Sequence, residues 1–224
     1  MPSAVMQPAS EREDAELFRR EAMGAFAHEV RTPLTSIKMV MELARRQSNE
    51  GELLLDAELA DMLRSSVEDL QSLADDLQEA SRLERGKVSL SPGPCEIGAA
   101  VEAARDLLRS IEIAGTFDDG LEGPWDAARL VRAIAGFTES ANRIGDGSGI
   151  VRLEAESDAD SVALVFSSGQ PGRAARAIAA DAGFAFFRSR QLVLAMGGSV
   201  HCERAERYAT FRVVLPLRLS GDSK

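Results

Sequence analysis

Apolar residues recur at Met23, Ala27, Val30, Leu34, Ile37, Met41 and Ala44, a 4-3-4-3-4-3 spacing that few folds accommodate. It is the a/d seam of an α-helix packed in a bundle. The seam continues on both sides of Pro33, so the spacing predicts one helix over 13–46 with a local bend just after residue 28. A polar turn, Gln47 to Gly51, leads to a second helix ending near Arg85. Its own seam runs through Ala60, Leu63, Val67, Leu70, Ala74 and Leu77, flanked by Leu59, Met62, Leu73 and Ala80. Two helices alone bury too little surface to be stable. Stripes this broad predict pairing into a four-helix bundle across a two-fold axis.

The chemistry lies in Phe26-Ala27-His28-Glu29-Val30-Arg31-Thr32-Pro33-Leu34-Thr35-Ser36-Ile37. In this register His28 points off the seam toward solvent. Thr32 and Thr35, at i+4 and i+7, lie on its face, and Glu29 sits about 100° round the helix. A neutral imidazole on an exposed face can act as a nucleophile, and a neighbouring carboxylate can hold one ring nitrogen protonated while the other attacks. The other histidine, His201, falls in a predicted strand and reads as packing.

These residues resemble the H-box of the dimerisation and phosphotransfer domain of bacterial histidine kinases. His-Glu-x-x-Thr-Pro-Leu is matched without a gap. The resemblance implies that His28 accepts the phosphoryl group and that Glu29 is its acid/base neighbour. Thr32 would position a water when such a module acts as a phosphatase. It also implies a homodimer, and response-regulator receiver domains as partners. Docking specificity would lie on the exposed faces beyond the histidine, roughly Lys38 to Arg45, and at the start of the second helix.

Composition narrows the class. The chain has 224 residues, 45% hydrophobic and 28% charged, enough for two small domains. A formal net charge of -10 argues against nucleic acid and against an anionic membrane surface. No window approaches the ~18 apolar residues of a membrane span. The polar first dozen residues, 1–12, are expected to be disordered, and the expectation is that no spans or sensor domain of a membrane-bound relative precede the hairpin. Cys95 and Cys202 form neither a metal spacing nor a disulfide framework, so a cytoplasmic location is expected.

The period changes after Gly86 and Ser91-Pro92-Gly93-Pro94. Helices are predicted at Glu96–Arg109, Asp126–Arg143 and Phe184–Met196. Strands are predicted at Ile111–Phe117, Gly149–Glu156, Ser161–Ser167, Ser199–Glu203 and Tyr208–Leu215, the last two joined by a turn at Ala205-Glu206-Arg207. The fold class is therefore α+β, a helical hairpin over 13–86 followed by a small α/β sandwich over 87–219.

The layout of Val88–Leu217 resembles the ATP-binding domain of histidine kinases, but the nucleotide residues do not. The family's Asn-x-x-x-Asn-Ala-x-Lys reads Gly136-Phe137-Thr138-Glu139-Ser140-Ala141-Asn142-Arg143, with both asparagines replaced and Asn142 two positions late. The adenine-binding Asp-x-Gly-x-Gly reads Ser167-Ser168-Gly169-Gln170-Pro171, and the phosphate-binding Gly-x-Gly-Leu reads Gly183-Phe184-Ala185-Phe186. Only 11 residues separate Gly172 from Phe184, too few for a long lid over ATP. The expectation is no intrinsic cofactor and no ATP, with Mg2+ supplied by the receiver. The leading reading is a histidine phosphotransferase of a two-component phosphorelay, passing a phosphoryl group through His28 between receiver aspartates. The alternatives are a response-regulator phosphatase, a non-catalytic receiver-binding module, and a soluble ATP-dependent kinase with a diverged site.

Overall fold

The computed structural model describes residues 9–47, 55–108, 110–115, 117, 120–145, 148–168, 182–204 and 209–218. The chain forms two compact units that divide between Gln78 and Glu79. The first consists of α1 (Ala9–Gln47) and most of α2 (Ala57–Glu84). Helix α1 runs unbroken through Pro33. It starts at Ala9, so residues 9–12 are helical and not disordered as expected. Ala9, Glu11 and Arg12 are good helix formers, and acidic residues suit the positive end of the helix dipole. The predicted turn at Gln47–Gly51 lies almost wholly outside the described residues.

Helix α2 starts where Asp56 caps it: the Leu59 N–H donates to Asp56 Oδ1 at 2.9 Å. It ends at Gly86, whose φ of 61° is the left-handed conformation that glycine adopts without penalty. The Lys87 N–H closes that turn on the Arg82 carbonyl at 2.9 Å. Near the turn of the hairpin, Val40 and Ala44 of α1 pack on Leu59 of α2, with Met62 and Leu63 against them.

The buried stripe is not the expected seam. In α1 it comprises Ala22, Ala25, Pro33, Val40 and Ala44, while Met23, Leu34 and Met41 stay 42–49% exposed. In α2 the buried positions are Leu59, Ser66, Asp76, Ala80 and Leu83, while Val67 is 46% exposed. The two stripes lie side by side, roughly 100° apart on α1. Helix α1 thus carries a second apolar stripe that nothing among the described residues covers.

The second unit is an α/β sandwich. Strand β1 (Gly93–Glu96) pairs antiparallel with β3 (Glu122–Trp125) as a separate ribbon. A five-stranded sheet has the order β2-β4-β5-β7-β6. Its members are β2 (Glu112–Ala114), β4 (Ile150–Ser157), β5 (Ser161–Ser167), β6 (Ser199–Arg204) and β7 (Ala209–Pro216). Only the β2–β4 pair is parallel, joined through a crossover. The helices are α3 (Ile97–Leu107), α4 (Ala127–Ile144) and α5 (Phe184–Ala195).

Helix α4 is the centre of this unit. Nine of its eighteen residues are buried, because α3 and α5 flank it and the sheet lies beneath. Strand register aligns Leu153, Phe166 and Phe211 in one buried row. Phe137 of α4 packs on Phe166 and Phe211 with ring centroids 5.5 and 6.1 Å away, and Phe186 of α5 meets Phe211 at 4.9 Å. Asp126 caps α4, accepting from the Arg129 N–H at 3.2 Å and the Ser91 N–H at 2.9 Å. β1 and β3 were not expected, and the predicted turn at Ala205-Glu206-Arg207 lies outside the described residues.

Candidate functional site

His28 sits mid-helix on α1, exposed, with its helix held by Pro33, Val40 and Ala44 on the opposite flank. Thr32, one turn further on, is also exposed, and Glu29 is half-buried. Consecutive helix positions diverge by about 100°, so Glu29 projects toward the buried flank and His28 away from it. Pro33 lacks an N–H and so does not donate the usual helical bond to the carbonyl four residues before it. Thr35 shares the histidine's flank, but its Oγ1 donates to the Arg31 carbonyl at 2.8 Å. Met39, three turns beyond His28 on that flank, is 49% exposed.

The arrangement gives an imidazole with open approach along its outer face. It lacks walls: of the four residues preceding it, Gly24, Ala25 and Ala27 have little or no side chain, and Phe26 is half-buried on the far side of the helix. A helix face of this form cannot enclose a small substrate. It suits a reaction in which a second macromolecule brings the rest of the site.

His201 is not packed as expected. It is exposed on the edge strand β6, where its Nε2 lies 3.1 Å from Ser199 Oγ. The strand alternation puts it beside Arg212 on the face away from the Phe137 cluster, and solvent covers that face.

The positions that resemble nucleotide motifs in the second unit are engaged from within. Gly136 is buried at the α4–α5 crossing, where a Cβ would stand 2.2 Å from Ser189 Oγ and 3.2 Å from the Ala185 carbonyl oxygen. Ser140 is fully buried, and its Oγ donates to the Gly136 carbonyl at 2.7 Å. Asn142 accepts the Gly149 N–H on its Oδ1 at 3.0 Å and so ties the end of α4 to the start of β4. Ser168 is buried, donates to the Ile150 carbonyl at 3.2 Å and abuts Gly145, whose Cβ would stand 2.6 Å from Ser168 Oγ. Phe184 and Phe186 at the start of α5 point into the core. Gly169 to Asp181, including the short segment predicted in place of a lid, lies outside the described residues.

Among the described residues no helix is long and apolar enough to cross a membrane. Residues 18–86 match the His Kinase A (phospho-acceptor) domain. The signal transduction histidine-protein kinase BaeS of Escherichia coli is 26% identical over 172 residues, 74% of this chain and 36% of that protein. The chain spans about a third of the length of the curated relatives it matches, 36% of BaeS and 33% of the Rhizobium meliloti sensor DctB. The Acinetobacter baumannii histidine kinase AdeS shares the fold with a TM-score of 0.67 at 20% identity, covering 85% of this chain and 98% of that one. Histidine kinase ThkA, solved in complex with the response regulator TrrA, aligns with a TM-score of 0.57 at 15% identity over 96% of this chain and 68% of that one. Residues 18–86 are therefore similar to a histidine kinase phospho-acceptor domain, and the chain shares the fold of solved histidine kinases, a helical hairpin followed by a small α/β part.

Proposed function

We propose that this chain is a dimeric histidine phosphotransferase of a two-component phosphorelay, which moves a phosphoryl group between receiver aspartates through His28 and does not use ATP. One contrast carries the reading. His28 is open on α1, while the described motif positions Gly136, Ser140, Asn142, Ser168 and Phe184 are engaged in the second unit's own packing. An asparagine at position 136 would run into Ser189, and the Asn142 amide oxygen is already bound to Gly149. Both features speak against a magnesium–nucleotide complex held at the end of α4.

The unprotonated ring nitrogen of His28 attacks the phosphorus of a receiver's aspartyl phosphate in line. The phosphorus–oxygen bond breaks, the aspartate leaves as its carboxylate, and the second ring nitrogen keeps its proton. The reverse step, with a second receiver, returns the group to an aspartate. Charge on the transferring phosphoryl is neutralised by Mg2+ held by the receiver. Glu29 supports the proton-bearing nitrogen. The exposed Met23–Leu34–Met41 stripe is the surface a second copy covers, and the chemistry is assigned to the cytoplasm. A receiver-phosphatase activity is the second reading, favoured by the exposed Thr32 on the histidine's flank.

The test charges a panel of receiver domains with radiolabelled acetyl phosphate and mixes each with the protein. Label should move to wild type from at least one receiver and not to His28→Ala. Calorimetry with ATP and magnesium should register no binding. Autophosphorylation of His28 from ATP alone overturns the phosphotransferase reading and restores the kinase one.

A further inference from the structure

One helical glycine in the first unit has no structural cause. Gly24 lies inside α1, where glycine is the poorest helix former after proline. It is not among the positive-φ glycines, it is exposed, and among the described residues nothing lies within 4 Å of where its Cβ would be. Neither backbone conformation nor packing within the chain asks for glycine there. The apolar stripe left for a second copy (Met23, Leu34, Met41) lies roughly 80–100° round the helix from it.

Gly24 precedes His28 by four residues, on the same face and about 6 Å along the axis. Side chains on an α-helix lean toward its N-terminus and cover the preceding turn. The imidazole of His28 therefore lies over the turn that contains Gly24 and Ala25, and Ala27 flanks it. Any longer side chain at position 24 would stand beside the ring on the side to which the ring leans.

We propose that Gly24 is a clearance residue, whose missing side chain opens the N-terminal flank of His28 to the active-site loops of a receiver domain. The inference rests on the phosphotransferase reading and adds to it what sets access. A small phosphoryl donor needs no such clearance, whereas a folded domain that closes over the imidazole does.

The experiment compares wild type with Gly24→Ala and Gly24→Leu, using two donors for His28. One is the receiver that charges wild type fastest. The other is phosphoramidate, whose phosphorus–nitrogen bond breaks as ammonia leaves and a phosphorus–nitrogen bond to the imidazole forms. Both variants should melt above wild type, since each side chain favours helix over glycine. Transfer from the receiver should slow with side-chain size, by about tenfold or more for leucine, as misplacement of reacting groups costs up to about a hundredfold. Labelling by phosphoramidate should be unchanged. Equal receiver transfer in all three proteins overturns the inference while leaving the phosphotransferase reading intact. So does a change in oligomeric mass on Gly24→Leu, which would make the position an inter-copy contact. If no receiver charges wild type, the phosphotransferase reading fails and takes this one with it.

Discussion

Restoring the family asparagine at position 136 should break the second unit instead of returning a nucleotide site. A Cβ there lies 2.2 Å from Ser189 Oγ, 3.2 Å from the Ala185 carbonyl oxygen and 3.3 Å from Arg188 Nη2. Overpacking a core costs about 1–3 kcal/mol. A buried amide without partners adds about 1–3 kcal/mol. The gain in helix propensity over glycine is only a few tenths of a kcal/mol. Gly136→Asn should thus lose roughly 2–5 kcal/mol. The chain's one tryptophan makes this measurable on the second unit alone. Trp125 is 2% exposed and donates from Nε1 to the Pro216 carbonyl at 2.8 Å, so its fluorescence in a urea titration follows that unit. Ser189 Oγ makes no hydrogen bond among the described residues, so Ser189→Ala alone should be nearly neutral. In that background the cost of Gly136→Asn should fall by about 1 kcal/mol, the coupling expected of touching side chains. An asparagine variant as stable as wild type, an equal cost in both backgrounds, or micromolar ATP binding by the variant would each refute the reasoning.

Thr32→Ala should lengthen the lifetime of receiver phosphate in the protein's presence while still allowing transfer to His28. Equal lifetimes with wild type and variant count against a phosphatase role. Leu34→Glu places a charge in the exposed stripe and should shift light-scattering mass from dimer toward monomer, with the Trp125 urea midpoint unmoved. At Asp126, burial favours the neutral acid, but the Ser91 and Arg129 N–H groups and the Arg129 guanidinium outweigh it and hold the pKa below the usual carboxylate value. The stabilisation is therefore present above the unfolded pKa, about 3.9, and is lost as pH falls through the lower folded value. The second unit should lose stability below about pH 4 in wild type, and Asp126→Asn, weaker at neutral pH, should fall less steeply there.

Much of the layout was legible because the periodicities were strong. Strand β5 was predicted residue for residue at Ser161–Ser167, and α4 and α5 to within a residue or two. Strand β1 escaped because Gly93-Pro94 read as punctuation, and its partner β3 carries the same Gly-Pro pair at Gly123-Pro124. Proline is tolerated in a two-stranded ribbon, where each strand leaves one edge unpaired. The hairpin seam was misplaced by about one residue in α2, with Leu59 and Ser66 buried in place of Ala60 and Val67. Pattern counting finds the apolar side of a helix but cannot say which half faces its own chain. His201 was misread because an edge strand with one solvent-facing side offers a histidine water as readily as packing. The glycine before His28 carried a signal that periodicity ignores, an exposed poor helix former one turn from a nucleophile.

On the proposed dimer, the exposed stripe on α1 makes the stability of the first unit a matter of mass action. If a second copy supplies half its core, dilution withdraws that core, and the folded hairpin becomes a function of protein concentration. The second unit closes its core around Phe137 within one chain and has no such dependence. Heating at a series of dilutions should therefore separate two transitions, a hairpin melting that slides downward with each dilution and a Trp125-reported melting that stays fixed.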